Sequence, residues 1–566
     1  MASKISLLFP DPDLDFKRLS DVTVHDIGMD NIVSKIAEKP GEQTYIMNVM
    51  KLMSSDPENA AYRAEVFEDI CNNPGMRDDI TGILDRINFL REFGSFKHDH
   101  DHEPQVWDLL HRLGEIGDYI ESIEAIARCL EGADIHSKGL LRLKSYVEEL
   151  YNNNGFAELK KDISNLRADT GNLKSVTVGI NLNSRFEAEG IGIISINNKA
   201  FSKSGVVSNF IDKVSGKDNI KDGNDWNGDY NFREFTAVSP LENRTIPVIP
   251  PLSPMALMSI KYISENDDQI RSVTNYMDNI TEKMLSKTVK HLREVLARYT
   301  TLTITDITDL MPEFTYYIRW AEYIEKLKLR GFKFCKPKVL FPEDTDEPAP
   351  VTACGIYNMK LLEDASVSSK DVVPNDISFD KDKTLYILTG ANRGGKTTIT
   401  QAVGQLFYMA QGGIYVTGEK FEYVPCDRIF THFPADEDKT LDLGRLGEEC
   451  KRFKEIFEDA TDKSLLLLNE TFSTTSFEEG YYIARDCTKA ILGKGSRTIY
   501  NTHMHKLAMD IDEINEGEDR AKAASLIVVS EEGRRSYEVK VAPPVGMSYA
   551  EDIARKYGVT YKQLTT

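Results

Sequence analysis

Apolar residues recur every three to four positions from about Met29 to Leu166, as in Ile80-Thr-Gly-Ile-Leu-Asp-Arg-Ile-Asn-Phe-Leu90. That spacing predicts helices. The pattern changes at Leu173. Ser175-Val-Thr-Val-Gly-Ile-Asn-Leu182 alternates, and Ile191-Gly-Ile-Ile-Ser-Ile196 continues in β-prone residues. A β-rich insertion is therefore predicted up to about Ile249. Within it, Ser215 to Asn231 is rich in Gly, Asn and Asp and reads as an exposed loop. Helical periodicity returns from Met255 to Leu329. The stretch Glu343-Asp-Thr-Asp-Glu-Pro-Ala-Pro350 reads as a linker or surface segment, and strand–loop–helix alternation follows to the end. No internal repeat is visible. The expected fold is α+β and multidomain: a first helical region over 1–172, a small β-rich insertion over 173–250, a second helical region over 251–345 and a C-terminal α/β domain over 346–566.

The candidate chemistry lies in the last of these. Leu385-Tyr-Ile-Leu-Thr389 is a short, apolar, β-prone run. Gly390-Ala391-Asn392-Arg393-Gly394-Gly395-Lys396-Thr397 follows, and a helical stretch begins at Thr398. This is the phosphate-loop pattern in its required strand–loop–helix setting. Glycines let backbone N–H groups turn toward phosphate oxygens, and the following helix adds its positive end. Lys396 supplies a point charge to the β- and γ-phosphates, and Thr397 offers a hydroxyl to Mg²⁺. Ser464-Leu-Leu-Leu-Leu-Asn469-Glu470 reads as a strand buried on both faces with a polar end. Glu470 is the candidate general base. Asn469 stands where an acidic residue would hold Mg²⁺. Arg497-Thr-Ile-Tyr-Asn-Thr-His503 is a third β-prone run with a polar end, and His503 is the candidate sensor of the γ-phosphate.

Composition narrows the rest. The 566 residues carry a formal charge of −21, which argues against non-specific coating of nucleic acid. The stretch 251–345 is less acidic, with 14 Lys and Arg against 13 Asp and Glu. It contains a basic run from Lys326 to Lys338 that reads either as a solvated helix end or as a contact for nucleic acid or a partner. No apolar run of 18 residues occurs, so no membrane span is expected. Seven scattered cysteines without a CxxC pair read as reduced thiols of a cytoplasmic protein. His98-Asp-His100-Asp-His102 has metal-ligand chemistry, but between Lys97 and Glu103 it reads first as a solvated loop between helices.

From about Asp371 onward, the chain resembles the ATPase domain of the MutS DNA mismatch-repair family. The matching stretches are Val373-Pro-Asn-Asp-Ile377, Thr389 to Thr398, Asp427-Arg-Ile-Phe-Thr431, Leu467-Leu-Asn-Glu470 with Thr475-Ser476 and Gly480, Thr502-His503, and Gly546-Met-Ser-Tyr549. More weakly, Ile318-Arg-Trp-Ala-Glu-Tyr-Ile324 and Phe334-Cys-Lys-Pro337 are similar to the end of the family's helical core and lever. The resemblance implies an ABC-type ATPase with a C-terminal helical dimerisation segment, binding ATP and Mg²⁺. It implies homodimers paired head to tail through the ATPase domains, with DNA as the partner. It assigns Gly390 to Thr398 and Val372 to the nucleotide, and Thr397 and Asn469 to Mg²⁺, directly or through water. Gly444, Arg445, Gly447 and Glu449 fall on the loop that the family lends to the partner's site.

This sequence departs from the family's pattern at several of those positions. The usual serine of the lent loop falls on Gly444, the aromatic that stacks on adenine falls on Val372, and the acidic metal position is Asn469. Slow hydrolysis is therefore expected. The family's mismatch wedge, Phe-x-Glu, is spelled by Phe156-Ala-Glu158, which reads as a chance match far from where a wedge domain would lie. The chain thus looks like a truncated homologue without the mismatch-reading domain or an added nuclease domain. Two functions compete: an ATP-gated switch or clamp on DNA, and an ATP-binding scaffold with little turnover that recognises a DNA junction or a protein. A non-repair ABC ATPase of the cohesion type would need long coiled-coil arms, and no sustained heptads occur.

Overall fold

The computed structural model describes residues 5–11, 14–93, 106–152, 154–170, 175–182, 184–185, 188–197, 260–262, 290–291, 294–295, 305–345, 349–391, 394–434, 444–518, 521–531, 534–544 and 557–565. Contacts divide the chain into two units. The first comprises residues 1–84, 128–146 and 305–566, and the second comprises 85–127 and 147–304.

In chain order the elements begin with β1 (Lys17–Arg18), α1 (Asp21–Asp26), α2 (Met29–Ile36), α3 (Pro40–Met50), β2 (Leu52–Met53) and α4 (Pro57–Asn72). Ser20 caps α1 through its side chain and Asp56 caps α4, with Pro57 at the first helical turn. The helices α5 (Pro74–Phe93), α6 (Val106–Gly132), α7 (Lys138–Asn152) and α8 (Asn154–Thr170) follow. In the second unit, α6 and α8 are tied by Lys160 to Glu124 and by Arg167 to Glu121 at 2.6 Å. Phe156 is buried on α8, 6.0 Å from the Tyr151 ring, so it packs as a core residue. The same unit holds an antiparallel sheet of β3 (Ser175–Leu182), β4 (Ala188–Asn197) and β5 (Ile260–Tyr262). Its third strand lies beyond Ile249, where periodicity predicts helix; three residues of Ile-Lys-Tyr pair along the edge of β4. The Ser215–Asn231 loop and His98, His100 and His102 lie outside the described residues.

The first unit continues with α9 (Thr305–Leu329), β6 (Phe334–Cys335), β7 (Lys338–Val339), β8 (Val351–Ile356), β9 (Asn375–Phe379), β10 (Leu385–Thr389), α10 (Lys396–Gln411), β11 (Val416–Thr417), β12 (Lys420–Tyr423) and β13 (Ile429–His432). After these come α11 (Gly444–Asp459), β14 (Leu465–Asn469), α12 (Phe477–Lys494), β15 (Arg497–Asn501), α13 (His505–Met509), α14 (Ile511–Ile514), β16 (Ala523–Glu531), β17 (Arg534–Val541) and α15 (Tyr561–Thr565). The main sheet has the order β13-β14-β15-β10-β16-β17, parallel except for β17. Every residue of β10, β14 and β15 is buried. This is why β10 and β14 are almost continuously apolar: helices cover both faces of a parallel sheet. A smaller sheet, β7-β12-β8-β9, carries the segment before β10.

The N-terminal residues are built into this unit. Leu7 and Leu8 are fully buried. The backbone around them is held by side chains: Tyr62 donates to the Ser6 carbonyl at 2.6 Å, Tyr317 to that of Leu7 at 2.9 Å and Arg63 to that of Leu8 at 2.8 Å. The turn between α1 and α2 packs on α10. Gln401 donates to the Asp26 carbonyl at 2.7 Å and Gln405 to that of Ile27 at 2.8 Å. A Cβ on Gly404 would lie 2.7 Å from both Ile27 and Leu467, so only glycine allows α10 this close to both. Asp26 also pairs with Arg452 of α11 at 3.5 Å.

The basic run of 326–338 is largely engaged within the protein. Lys333, Lys336 and Lys338 pair with Glu419, Glu68 and Glu422, and Arg330 donates to the carbonyls of Leu362, Asp364 and Val367. A nucleic acid would have to compete with these pairs, which favours the solvated-surface reading of the run. Among the described residues no helix is long and apolar enough to cross a membrane, and no cluster of His, Cys, Asp and Glu is arranged to hold a metal ion.

Candidate nucleotide site

The C-terminal ends of β10, β14 and β15 converge on the first turn of α10. Gly390 (φ +141°) ends the central strand and Gly395 (φ +96°) caps α10. Both lie in backbone regions that side chains rarely adopt, so the tight loop between them depends on glycine. Asn392 and Arg393 lie outside the described residues. Lys396 is 5% exposed, and its ammonium donates to the Gly390 carbonyl at 3.0 Å and the Ala391 carbonyl at 3.3 Å. Burial pulls its pKa below the usual lysine range, while Glu470 opposes that shift. A phosphate arriving between them would replace weak carbonyl acceptors with a charged one.

Glu470 follows β14 with φ +54°, a strained value for a non-glycine residue. Its N–H donates to the Asn501 carbonyl at 2.8 Å, which fixes the turn. Its carboxylate lies 2.6 Å from His503 Nε2. Thr397 Oγ1 donates to Asn469 Oδ1 at 3.1 Å. The structure therefore brings Lys396, Thr397, Asn469, Glu470 and His503 together. The residues 395–399, Glu470 and His503 line a cleft of about 720 Å³. Its other lining residues include Tyr357, Leu361, Val372, Val373, Asn375 and Tyr537.

Mg²⁺ prefers oxygen donors and keeps several waters, using one or two protein groups together with substrate phosphates. The hydroxyl of Thr397 and the amide oxygen of Asn469 fit that donor set, without a carboxylate in the usual place.

The four residues assigned to the lent loop lie apart from this cleft, at the start of α11. Arg445's side chain lies outside the described residues. Glu449 is half-buried. Burial raises its pKa, while hydrogen bonds to Thr474 and to the backbone of Phe472 act the other way. His432, at the end of β13, lies 3.2 Å from the Glu449 carbonyl and 3.0 Å from Thr471 Oγ1. The start of α11 is thereby fastened to the loop that follows Glu470.

Three contributors escaped sequence reasoning. Tyr537 (φ +59°) is about half exposed and lines the cleft together with Val372, its ring beside Gly395. Asn375 accepts the Val539 N–H at 2.7 Å and donates to the Tyr537 carbonyl at 3.1 Å, which pins that strand to β9. Asn501 is fully buried and donates to Asn469 Oδ1 and, at 3.4 Å, to Thr397 Oγ1. An Asn at the end of β15 was visible in the sequence; its role depends on parallel register, which sets Asn469 opposite Asn501.

The family model described as MutS domain V matches residues 386–561, which span β10 to the last helix. An endonuclease MutS2 of Thermus thermophilus is 30% identical over 186 residues, 33% of this chain and 24% of that protein. An endonuclease MutS2 of Caldicellulosiruptor bescii is 30% identical over 224 residues, 39% of this chain and 28% of that protein. A DNA mismatch repair protein MutS of Chlorobium chlorochromatii is 34% identical over 149 residues, 26% of this chain and 17% of that protein. The chain thus spans between 17% and 28% of the length of these curated relatives. Residues 386–561, about a third of the chain, thus match MutS domain V, and over that stretch the chain is similar to MutS and MutS2 proteins.

Proposed function

We propose that this protein is an ATP-gated, DNA-associated switch that binds ATP with Mg²⁺ in the cleft at Gly395–Ile399. The observation that carries the reading is the meeting of Lys396, Thr397, Glu470 and His503 around one cleft. The loop amides and Lys396 hold the phosphates. Thr397 and Asn469 hold the metal end, directly or through water. Bound Mg²⁺ would neutralise charge building on the phosphates. Glu470 orients the attacking water and accepts its proton. His503, hydrogen-bonded to Glu470, keeps that carboxylate aimed and registers the loss of the γ-phosphate. Tyr537 offers a stacking face for the base, in the role the family gives to the position of Val372.

Two chains pair head to tail through these domains, each lending the Gly444–Glu449 turn to the other, and DNA is the partner whose grip the cycle controls. Backbone N–H groups of that Gly-rich turn, rather than a serine, would then meet the γ-phosphate. The nuclease activity in the names of the MutS2 relatives is not carried over, because the shared segment is the nucleotide-binding one. Seven free thiols suit a cytoplasmic setting.

A second reading, an ATP-binding scaffold with little turnover, is favoured by the neutral amide at position 469. Both readings require ATP binding that depends on Lys396. Titration of the full chain with ATP tests this: Lys396→Ala should lose most of the affinity, and unchanged binding would refute the site. ATPase activity measured with branched, mismatched and plain duplex DNA separates the two. Stimulation by one DNA form supports the switch, and a flat, low rate with all three supports the scaffold.

A further inference from the structure

Asn501 ends β15 with no exposed surface. Its Nδ2 donates to Asn469 Oδ1, the same oxygen that accepts the Thr397 hydroxyl at 3.1 Å. Its own Oδ1 is buried without a hydrogen-bond partner. Turned over alone, the Asn501 amide would set its oxygen against Asn469 Oδ1, so the pairing couples the orientations of the two amides. Parallel register holds the two residues side by side at the strand ends. A buried, unpaired carbonyl is rare enough to need a reason. Here it belongs to the group that orients the candidate metal ligand, at the mouth of the phosphate loop.

We infer that Asn501 is a positioning residue for the metal end of the nucleotide site. It aims Asn469 Oδ1 toward Thr397, so that two neutral amides and a hydroxyl replace a carboxylate. Its spare Oδ1 is an acceptor for a metal-bound water. The inference rests on the nucleotide reading of the cleft. It assigns Asn501 a metal-dependent share of binding and no share in binding the phosphates themselves.

The consequence is measurable as a ratio: the affinity of the full chain for ATP in Mg²⁺ divided by that in EDTA, by titration calorimetry. A lone oxygen ligand leaves the wild-type ratio at about tenfold, and one added charge at a partly wet site changes it by about tenfold again. Asn501→Leu removes the aiming amide and should bring the ratio close to one, with affinity in EDTA unchanged. Asn501→Asp places a carboxylate at the metal end and should raise the ratio to about a hundredfold, mostly by weakening binding in EDTA. A residue that only supports the fold would shift both affinities together, which the ratio cancels. Either variant alone decides the matter if the other fails to fold. Lys396-dependent ATP binding with ratios equal within threefold overturns this role and leaves the nucleotide site standing. Absent ATP binding, or binding that survives Lys396→Ala, overturns the nucleotide reading and this inference together.

Discussion

Replacing Gln405 by leucine tests how firmly the N-terminal helices are joined to α10, the helix that follows the candidate phosphate loop. Gln405 is fully buried in α10. Its Nε2 donates to the Ile27 carbonyl at 2.8 Å and to Asn358 Oδ1 at 2.9 Å, and its Oε1 accepts the Met359 N–H at 2.8 Å. Leucine nearly keeps the volume and removes all three bonds. Asn358 Oδ1 still accepts the Lys360 N–H, so it is not orphaned. The Ile27 carbonyl and the Met359 N–H are, and both residues are fully buried. Each buried orphan costs about 1–3 kcal/mol, giving about 2–6 kcal/mol. No longer burying an amide returns about 1–3 kcal/mol of that. A net loss of about 1–3 kcal/mol is expected. Trp320, buried on α9 in the same unit, reports unfolding in urea through its fluorescence. A loss below about 1 kcal/mol at an unchanged denaturant slope would refute the claim that these hydrogen bonds carry the junction.

Three further outcomes follow from the site. Glu470→Gln should cut ATP turnover by about a hundredfold or more, the usual contribution of a positioned base, while ATP binding measured by titration stays within a few-fold. Tyr537→Ala should weaken ATP by about tenfold, as expected for loss of one stacking face, and leave inorganic triphosphate binding unchanged; equal losses for both would remove Tyr537 from base recognition. His432 is held down to about 4 from 6.5, chiefly by burial and then by Arg452. Between those values the unfolded chain binds the extra proton, so stability is full above about 6.5 and is lost as pH falls toward 4. About 1.4 kcal/mol per pH unit over that window comes to about 3 kcal/mol. Thermal melts of His432→Gln across this range should fall less steeply than wild type, and parallel curves would show that other groups carry the acid sensitivity.

Much of the α/β part is legible in the chain itself. Leu385-Tyr-Ile-Leu-Thr389 and the four leucines before Asn469 read as strands covered on both faces, and they are fully buried central strands. The glycines around Lys396 declare their loop because no other residue holds those φ angles. What stayed hidden depends on pairing across distance. Asn501 acquires a role only once register sets it against Asn469. Tyr537 reaches the cleft from a strand at the sheet edge, 165 positions after Val372, through a left-handed backbone value that nothing local announces. The helical periodicity of α1 to α4 predicts apolar faces but does not name what they cover. The register between β4 and β5 is likewise invisible to a period that reads helix beyond Met255.

The turn between α1 and α2 gives the family's recognisable domain an unusual boundary. It is gripped by Gln401 and Gln405 from one helix and by Arg452 from another, while Leu7 and Leu8 fill the space beside Tyr317. A fragment beginning at residue 346 would keep every motif of the proposed nucleotide site. It would also bare the face that Ile27 covers against Gly404 and leave the Gln405 amide without its carbonyl. The unit of homology and the unit of folding are therefore different lengths of chain. Insertions, fusions and shuffling that respect the first will break the second unless the opening eighty-odd residues travel with it.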